Sequence, residues 1–157
     1  MKGDKLEFCD LTKIKDFKEF FEKAGDTPLI LCGGDGTLNR FINDTDGIEL
    51  PSSVFYYATG SGNDFLNDVG KKKGDRPFKI NKYLKFLPKV TVNGKTSAFI
   101  NGIGYGIDGY CCEEGDKKRN LSGKRINYTP IALKGLFGGY EPADATVTVD
   151  GKTASYK

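Results

Sequence analysis

Gly33-Gly34-Asp35-Gly36-Thr37 places three glycines, a carboxylate and a hydroxyl in five consecutive positions, with Asn39 two residues on. A loop that grips phosphate needs inward-pointing backbone N–H groups, small residues that let oxygens approach, and a helix N-terminus aimed at the charge. Gly33, Gly34 and Gly36 permit the tight turn and the close approach, Thr37 adds a hydroxyl donor, and Asn39 is expected in the first helical turn, where its amide can reach back. Asp35 is the odd member, because a bare carboxylate repels a polyphosphate unless magnesium, a ribose hydroxyl or a proton stands between them. A glycine-rich connection with Asp35 as a helix cap accounts for one such loop taken alone. Two further clusters make that account harder: Thr59-Gly60-Ser61-Gly62-Asn63-Asp64 and Asn101 to Gly109, NGIGYGIDG.

Other chemistries are excluded or weakened. The 157 residues contain no histidine, which removes Ser-His-Asp triads, Cys-His dyads and histidine-ligated zinc. Cys9, Cys32, Cys111 and Cys112 form no C-x-x-C pair, so reduced, buried thiols are expected. No apolar run reaches the length of a membrane span, and MKGDKLEF has no hydrophobic stretch behind its lysines, so a cytoplasmic protein is expected. Net charge is +3 but uneven: residues 1–76 carry 11 Lys and Arg against 14 Asp and Glu, while residues 77–157 carry 13 against 7. That second half favours an anionic surface.

The elements that position these loops are legible from periodicity. Leu6 to Cys9 alternates weakly, as a strand would, and Ile14, Phe17, Phe20, Phe21 and Ala24 share one helical face, with Thr12 as cap and Gly25 as stop. Pro28 to Cys32 and Val54 to Ala58 are short apolar runs of the kind buried in parallel strands. Each leads into a glycine turn and a helical pattern, Leu38 to Ile42 and Phe65 to Val69. Ligands in such sheets bind outside the carboxyl ends of the strands, where both turns sit. After Lys71-Lys72-Lys73 the texture becomes β-rich: Asn93-Gly94 and Asp150-Gly151 predict two hairpins, Lys89–Val92 with Lys95–Ile100 and Ala145–Val149 with Lys152–Tyr156. A helix is expected over Tyr128 to Phe137. The reading is an α/β nucleotide-binding half with a parallel sheet over residues 1–76, followed by the start of a β-rich second domain over 77–157.

The three clusters together resemble the diacylglycerol kinase and bacterial lipid kinase family, which is distantly related to sphingosine kinases and NAD kinases. Gly33 to Asn39 is similar to its nucleotide-binding signature, Gly60-Ser61-Gly62-Asn63-Asp64-Phe65 to its G-T-G-N-D-F segment, and Asn101 to Asp108 to its N-x-x-G-x-G-x-D segment. The resemblance implies an ATP- and Mg²⁺-dependent kinase that transfers the γ-phosphate to a lipid hydroxyl such as that of diacylglycerol. It implies nucleotide contacts at Gly33, Gly34, Asp35, Gly36, Thr37, Asn39, Gly60, Ser61, Gly62, Asn63 and Asp64. Catalytic roles are implied for Asp35, Asp64 and Asp108, each expected to tolerate Asn with little loss of stability.

Departures from the pattern are Arg40, where many bacterial members have Glu and which offers a cation toward phosphate, and Ser61, which replaces Thr but keeps the hydroxyl. The family's first strand would precede Met1, and its magnesium segment and acidic general base would follow Lys157. A truncated chain is therefore expected, catalytically inactive or nearly so, with metal ligands unknown, weak nucleotide binding, slow turnover at most, and low stability or dimerisation through the strand at Thr146 to Val149. Expected partners are a lipid substrate and a peripheral membrane surface, with no nucleic acid. An NAD kinase and a non-catalytic nucleotide-binding module are the rival readings. Gly104-x-Gly106-x-x-Gly109 fits a dinucleotide fingerprint but lacks an acidic residue about twenty positions on. Lys71 to Lys73 and Lys117-Lys118-Arg119 read as solvated loop charge or as an attraction for anionic lipid.

Overall fold

The structure, a computed structural model, describes residues 6–60, 62–122 and 126–156. It is a mixed α/β chain that divides into two compact units, one ending at Gly102 and the other beginning at Ile103.

In the first unit, helix α1 (Phe17–Ala24) starts because the Asp16 carboxylate accepts the Glu19 N–H at 3.0 Å, and it stops at Gly25, whose φ of +55° suits glycine. Thr12 is therefore not its cap. That residue belongs to a separate turn, Leu11–Lys13, capped by Asp10, so Ile14 falls between the two helical pieces and still packs on the core. Residues 6–10 form no strand; they are exposed, and no strand among the described residues pairs with them.

Strands β1 (Leu29–Gly33) and β2 (Val54–Ala58) pair in parallel, Leu29 opposite Val54 and Gly33 opposite Ala58. The short β3 (Phe78–Lys79) adds antiparallel to the free side of β2. Helix α2 (Asp35–Asp44) follows β1 and buries Leu38, Phe41 and Ile42, while α3 (Asp64–Asp68) follows β2 and buries Phe65 and Leu66. Phe17 and Phe21 of α1 meet Phe41 of α2 with ring centres 6.1 and 6.5 Å apart, which closes the core on that side.

The hairpin of β4 (Lys89–Val92) and β5 (Lys95–Ala98) turns at Asn93-Gly94, both with positive φ, as a type I′ turn requires. Asn43 of α2 holds it. Its amide donates to Ala98 O at 2.9 Å and its oxygen accepts the Ala98 N–H at 2.8 Å, so one side chain pairs a strand edge as another strand would.

The second unit contains α4 (Ile107–Ser122), α5 (Thr129–Lys134) and a hairpin of β6 (Ala145–Val149) with β7 (Lys152–Tyr156), turning at Asp150-Gly151. All ten strand residues of that hairpin are exposed. The expected helix at Tyr128 to Phe137 is shorter than its pattern, because a wide turn containing Gly138 at φ +102° replaces its end. The cysteines are free, as expected, but not buried: Cys9, Cys32 and Cys112 are exposed and Cys111 is half-buried. Cys32 occupies an outward position of β1, between the buried Leu31 and Gly33.

Candidate functional site

The ends of β1 and β2 bring the first two glycine clusters into contact. The carbonyl of Gly33, the last residue of β1, accepts three hydrogen bonds: Thr59 N–H at 2.8 Å, Gly60 N–H at 3.2 Å and the buried Tyr56 hydroxyl at 3.1 Å. Gly34 then packs backbone to backbone on Gly60. A Cβ added to Gly60 would stand 2.5 Å from Gly34 Cα, and one added to Gly34 would stand 3.0 Å from Gly60 Cα. Gly33 is confined as well, since a Cβ there would lie 2.4 Å from Thr37 Cβ. Gly36 differs, being exposed, with nothing within 4 Å of an added Cβ.

Asp35 is the first residue of α2, yet its carboxylate serves α3. Oδ2 accepts the Asp64 N–H and Oδ1 accepts the Phe65 N–H, each at 3.1 Å, which satisfies two of the donors that α3 leaves open at its start. Oδ1 also accepts the Asn101 side-chain amide at 3.1 Å. The charge that looked repulsive toward phosphate is thus spread over three donors of the protein itself. Burial chiefly, and the Asp35 charge next, push the Tyr56 hydroxyl up to about 12, so it stays a donor to Gly33.

Two side-chain oxygens beside this carboxylate, Asn63 Oδ1 and Asn101 Oδ1, are buried without a hydrogen-bond partner among the described residues. Such atoms in a native fold call for a donor from elsewhere. Lys73 folds over the second loop, its Nζ donating to Gly60 O at 2.9 Å, and so brings a cation to a spot that sequence reasoning assigned only to loop charge or lipid. At the start of α2 the Thr37 N–H already donates to Gly34 O at 3.0 Å, which leaves the Asp35 and Gly36 N–H groups without intrahelical acceptors, on the side where Gly36 is open. That arrangement suits an anionic group such as phosphate. It does not suit a metal held by protein carboxylates: among the described residues no three His, Cys, Asp or Glu side chains converge, and both Asp35 oxygens are already engaged.

The remaining expected residues fall as follows. Thr37 is half-buried, and Asn39, the fifth residue of α2, lies in the second turn and is exposed, because the helix begins at Asp35. Gly62 is exposed beside Asp35, and Asn63 precedes α3 with its amide 3.4 Å from Gly60 O. Asp64 is exposed, and its carboxylate has no partner among the described residues. Ser61 lies outside the described residues. Asp108 is the second residue of α4 in the second unit, exposed, with a Cβ on Gly104 excluded by its own at 2.5 Å. Arg40 turns along its helix to Asp44 at 3.0 Å instead of toward the loops. Lys117 pairs with Glu113 and Glu114 on α4, so that basic cluster is helical and partly neutralised.

Residues 1–90 match the diacylglycerol kinase catalytic domain. The chain is 24% identical over 155 residues to a Staphylococcus haemolyticus (strain JCSC1435) protein named "Putative lipid kinase SH2167", covering 96% of this chain and 47% of that protein. It therefore spans about half the length of the curated relative it matches. No solved structure gives a significant match. Among the described residues no helix is long and apolar enough to cross a membrane.

Proposed function

We propose that this chain, which belongs to the diacylglycerol kinase catalytic domain family, binds ATP at the joined glycine loops and serves the transfer of its γ-phosphate to a lipid hydroxyl such as that of diacylglycerol. The observation that carries the reading is the contact of Gly34 with Gly60, which makes one continuous glycine floor from two loops. Residues 1–76 form the nucleotide-binding half in this reading and residues 77–157 belong to the lipid-facing half. Gly36, Thr37 and Lys73 face the phosphates, and the unpartnered oxygens of Asn63 and Asn101 accept donors of the nucleotide or of its bound water. Asp35 acts by fixing the loops, the carboxylate of Asp64, without a partner among the described residues, is left for the reacting groups, and Asp108 of the second unit keeps the catalytic role that the family resemblance implies. Magnesium, which the family resemblance implies, would come to such a site with the nucleotide and would offset the charge of its phosphates.

Calorimetric titration of the purified chain with ATP, followed by transfer of labelled phosphate to diacylglycerol and to NAD in parallel, tests the proposal. ATP binding is expected, with at most slow labelling, and that in the lipid. Label in NAD alone, or no ATP binding by a folded chain, would refute it.

A further inference from the structure

Between residues 71 and 89 the chain carries eight Lys and Arg against one Asp; Lys73 is turned to Gly60 O and Lys89 is paired with Asp46, so Lys71, Lys72, Arg76, Lys79, Lys82 and Lys85 remain for a further partner. We infer that this segment is a docking surface for an anionic lipid bilayer, with Phe86 as the inserting side chain. The choice of lipid over other polyanions rests on the lipid-kinase reading; the location of the patch does not.

A cluster of rings gathers Lys71 and Lys82 beside Phe65, Phe78 and Tyr83 in the first unit. Phe65 stacks on Phe78 with centres 6.4 Å apart and meets Tyr83 edge-on at 5.5 Å. Lys71 Nζ lies 5.8 Å from the centre of the Phe78 ring, and Lys82 Nζ lies 4.6 Å from that of Tyr83. A groove of about 290 Å³ opens on Phe65 and Tyr83, with Val69, Phe86, Leu87 and Ile100 as its apolar border and Asp68 as its one acidic residue. Phe86 itself is 93% exposed and follows Lys85 directly. Arg76, Lys79 and Lys85 are exposed and have no ion-pair partner among the described residues.

The chemistry of this patch selects its occupant. Lysine is depleted from the cores of protein–protein interfaces, whereas lysines around one bare aromatic ring suit an anionic headgroup layer above an acyl layer. Lysine stems lie along apolar surface while their ammonium groups stay at the headgroups. Each cation near such a surface raises affinity about five-fold, and the effect fades with salt. The groove beside Phe86 has room for part of an acyl chain or for the ring itself.

Co-sedimentation of the full chain with phosphatidylcholine vesicles, with and without phosphatidylserine, tests this in the absence of ATP and diacylglycerol. Salt-sensitive binding to the anionic vesicles alone is expected. Lys82→Glu with Lys85→Glu should lower it at least about twenty-fold, and Phe86→Ser about ten-fold, with melting curves like the parent. The chain has no tryptophan, so Phe86→Trp supplies a single reporter whose emission should shift to the blue on binding. Equal binding to neutral vesicles, unchanged binding by the variants, an unshifted emission, or binding to nucleic acid without binding to vesicles would each overturn the inference. A folded chain that docks on vesicles but binds no ATP would sink only the kinase reading.

Discussion

The side-chain amide of Asn101 donates to Oδ1 of Asp35 at 3.1 Å, joining positions 66 residues apart. The same oxygen accepts the Phe65 N–H, so three separate stretches of the chain meet on one carboxylate. Asp35 thereby acts as a fastening for the site before any ligand arrives, and each of its neighbours inherits a position from it.

Asp35→Asn should destabilise the fold, contrary to what its place in a nucleotide signature alone suggests. An amide NH₂ would face N–H donors and lose at least one of the three bonds, at about 1–3 kcal/mol. Asp64→Asn, on an exposed carboxylate without a protein partner, should change stability by less than about 0.5 kcal/mol. Urea unfolding of the two variants checks the contrast; equal stability loss would contradict it.

Two glycine substitutions should separate packing from ligand approach. Gly60→Ala drives a methyl group to 2.5 Å from Gly34 Cα, where only backbone can yield, and should cost several kcal/mol or abolish folding. Gly36→Ala meets open space in a helix and should be neutral or stabilising by up to about 1 kcal/mol. Its ATP affinity should nevertheless fall, since the methyl group occupies the phosphate side. Calorimetry showing unchanged affinity for folded Gly36→Ala would remove phosphate from that face.

Tyr56 supplies a pH dependence with a definite sign. Its hydroxyl has an ordinary value near 10 and is pushed up to about 12 in the fold, so the stability it confers is complete below pH 10. That stability is lost as the pH rises through 12. Tyr56→Phe deletes the donor to Gly33 and should cost about 1 kcal/mol at neutral pH. The gap between parent and variant should close over that alkaline interval; parallel melting curves from pH 7 to 12 would show no such titration if the idea is wrong.

Asn43→Ala should loosen the first hairpin without touching the loops. It leaves the Ala98 N–H and carbonyl without their side-chain partner, at about 1–3 kcal/mol. Hydrogen exchange at Ala98 should accelerate while that at Leu31 and Tyr56 changes only with global stability.

How far these features could be read from sequence depended on whether their cause was local. Asn93-Gly94 and Asp150-Gly151 fixed both hairpins, because few residue pairs accept positive φ at two successive positions. The apolar runs ending at Cys32 and Ala58 gave β1 and β2 within one residue. Helix α4 escaped notice because Gly109 and Gly115 interrupt it and its apolar residues form no clear stripe. Leu6 to Cys9 had the alternation of a strand but no partner strand among the described residues, which no local pattern reveals. The role of Asp35 was hidden for the same reason: its partners at Asp64, Phe65 and Asn101 are set by the register of β1 on β2 and by the chain's return after β5.

The contact of Gly34 with Gly60 also governs how this site can change. Since each glycine occupies the volume that the other would need for a side chain, enlarging either has nearly the full effect of enlarging both. A double-mutant cycle across the pair should therefore be strongly non-additive. Two stretches of sequence separated by a helix and a strand are thus constrained as one mutational unit, and variation in either loop is open only where its residues face away from the other.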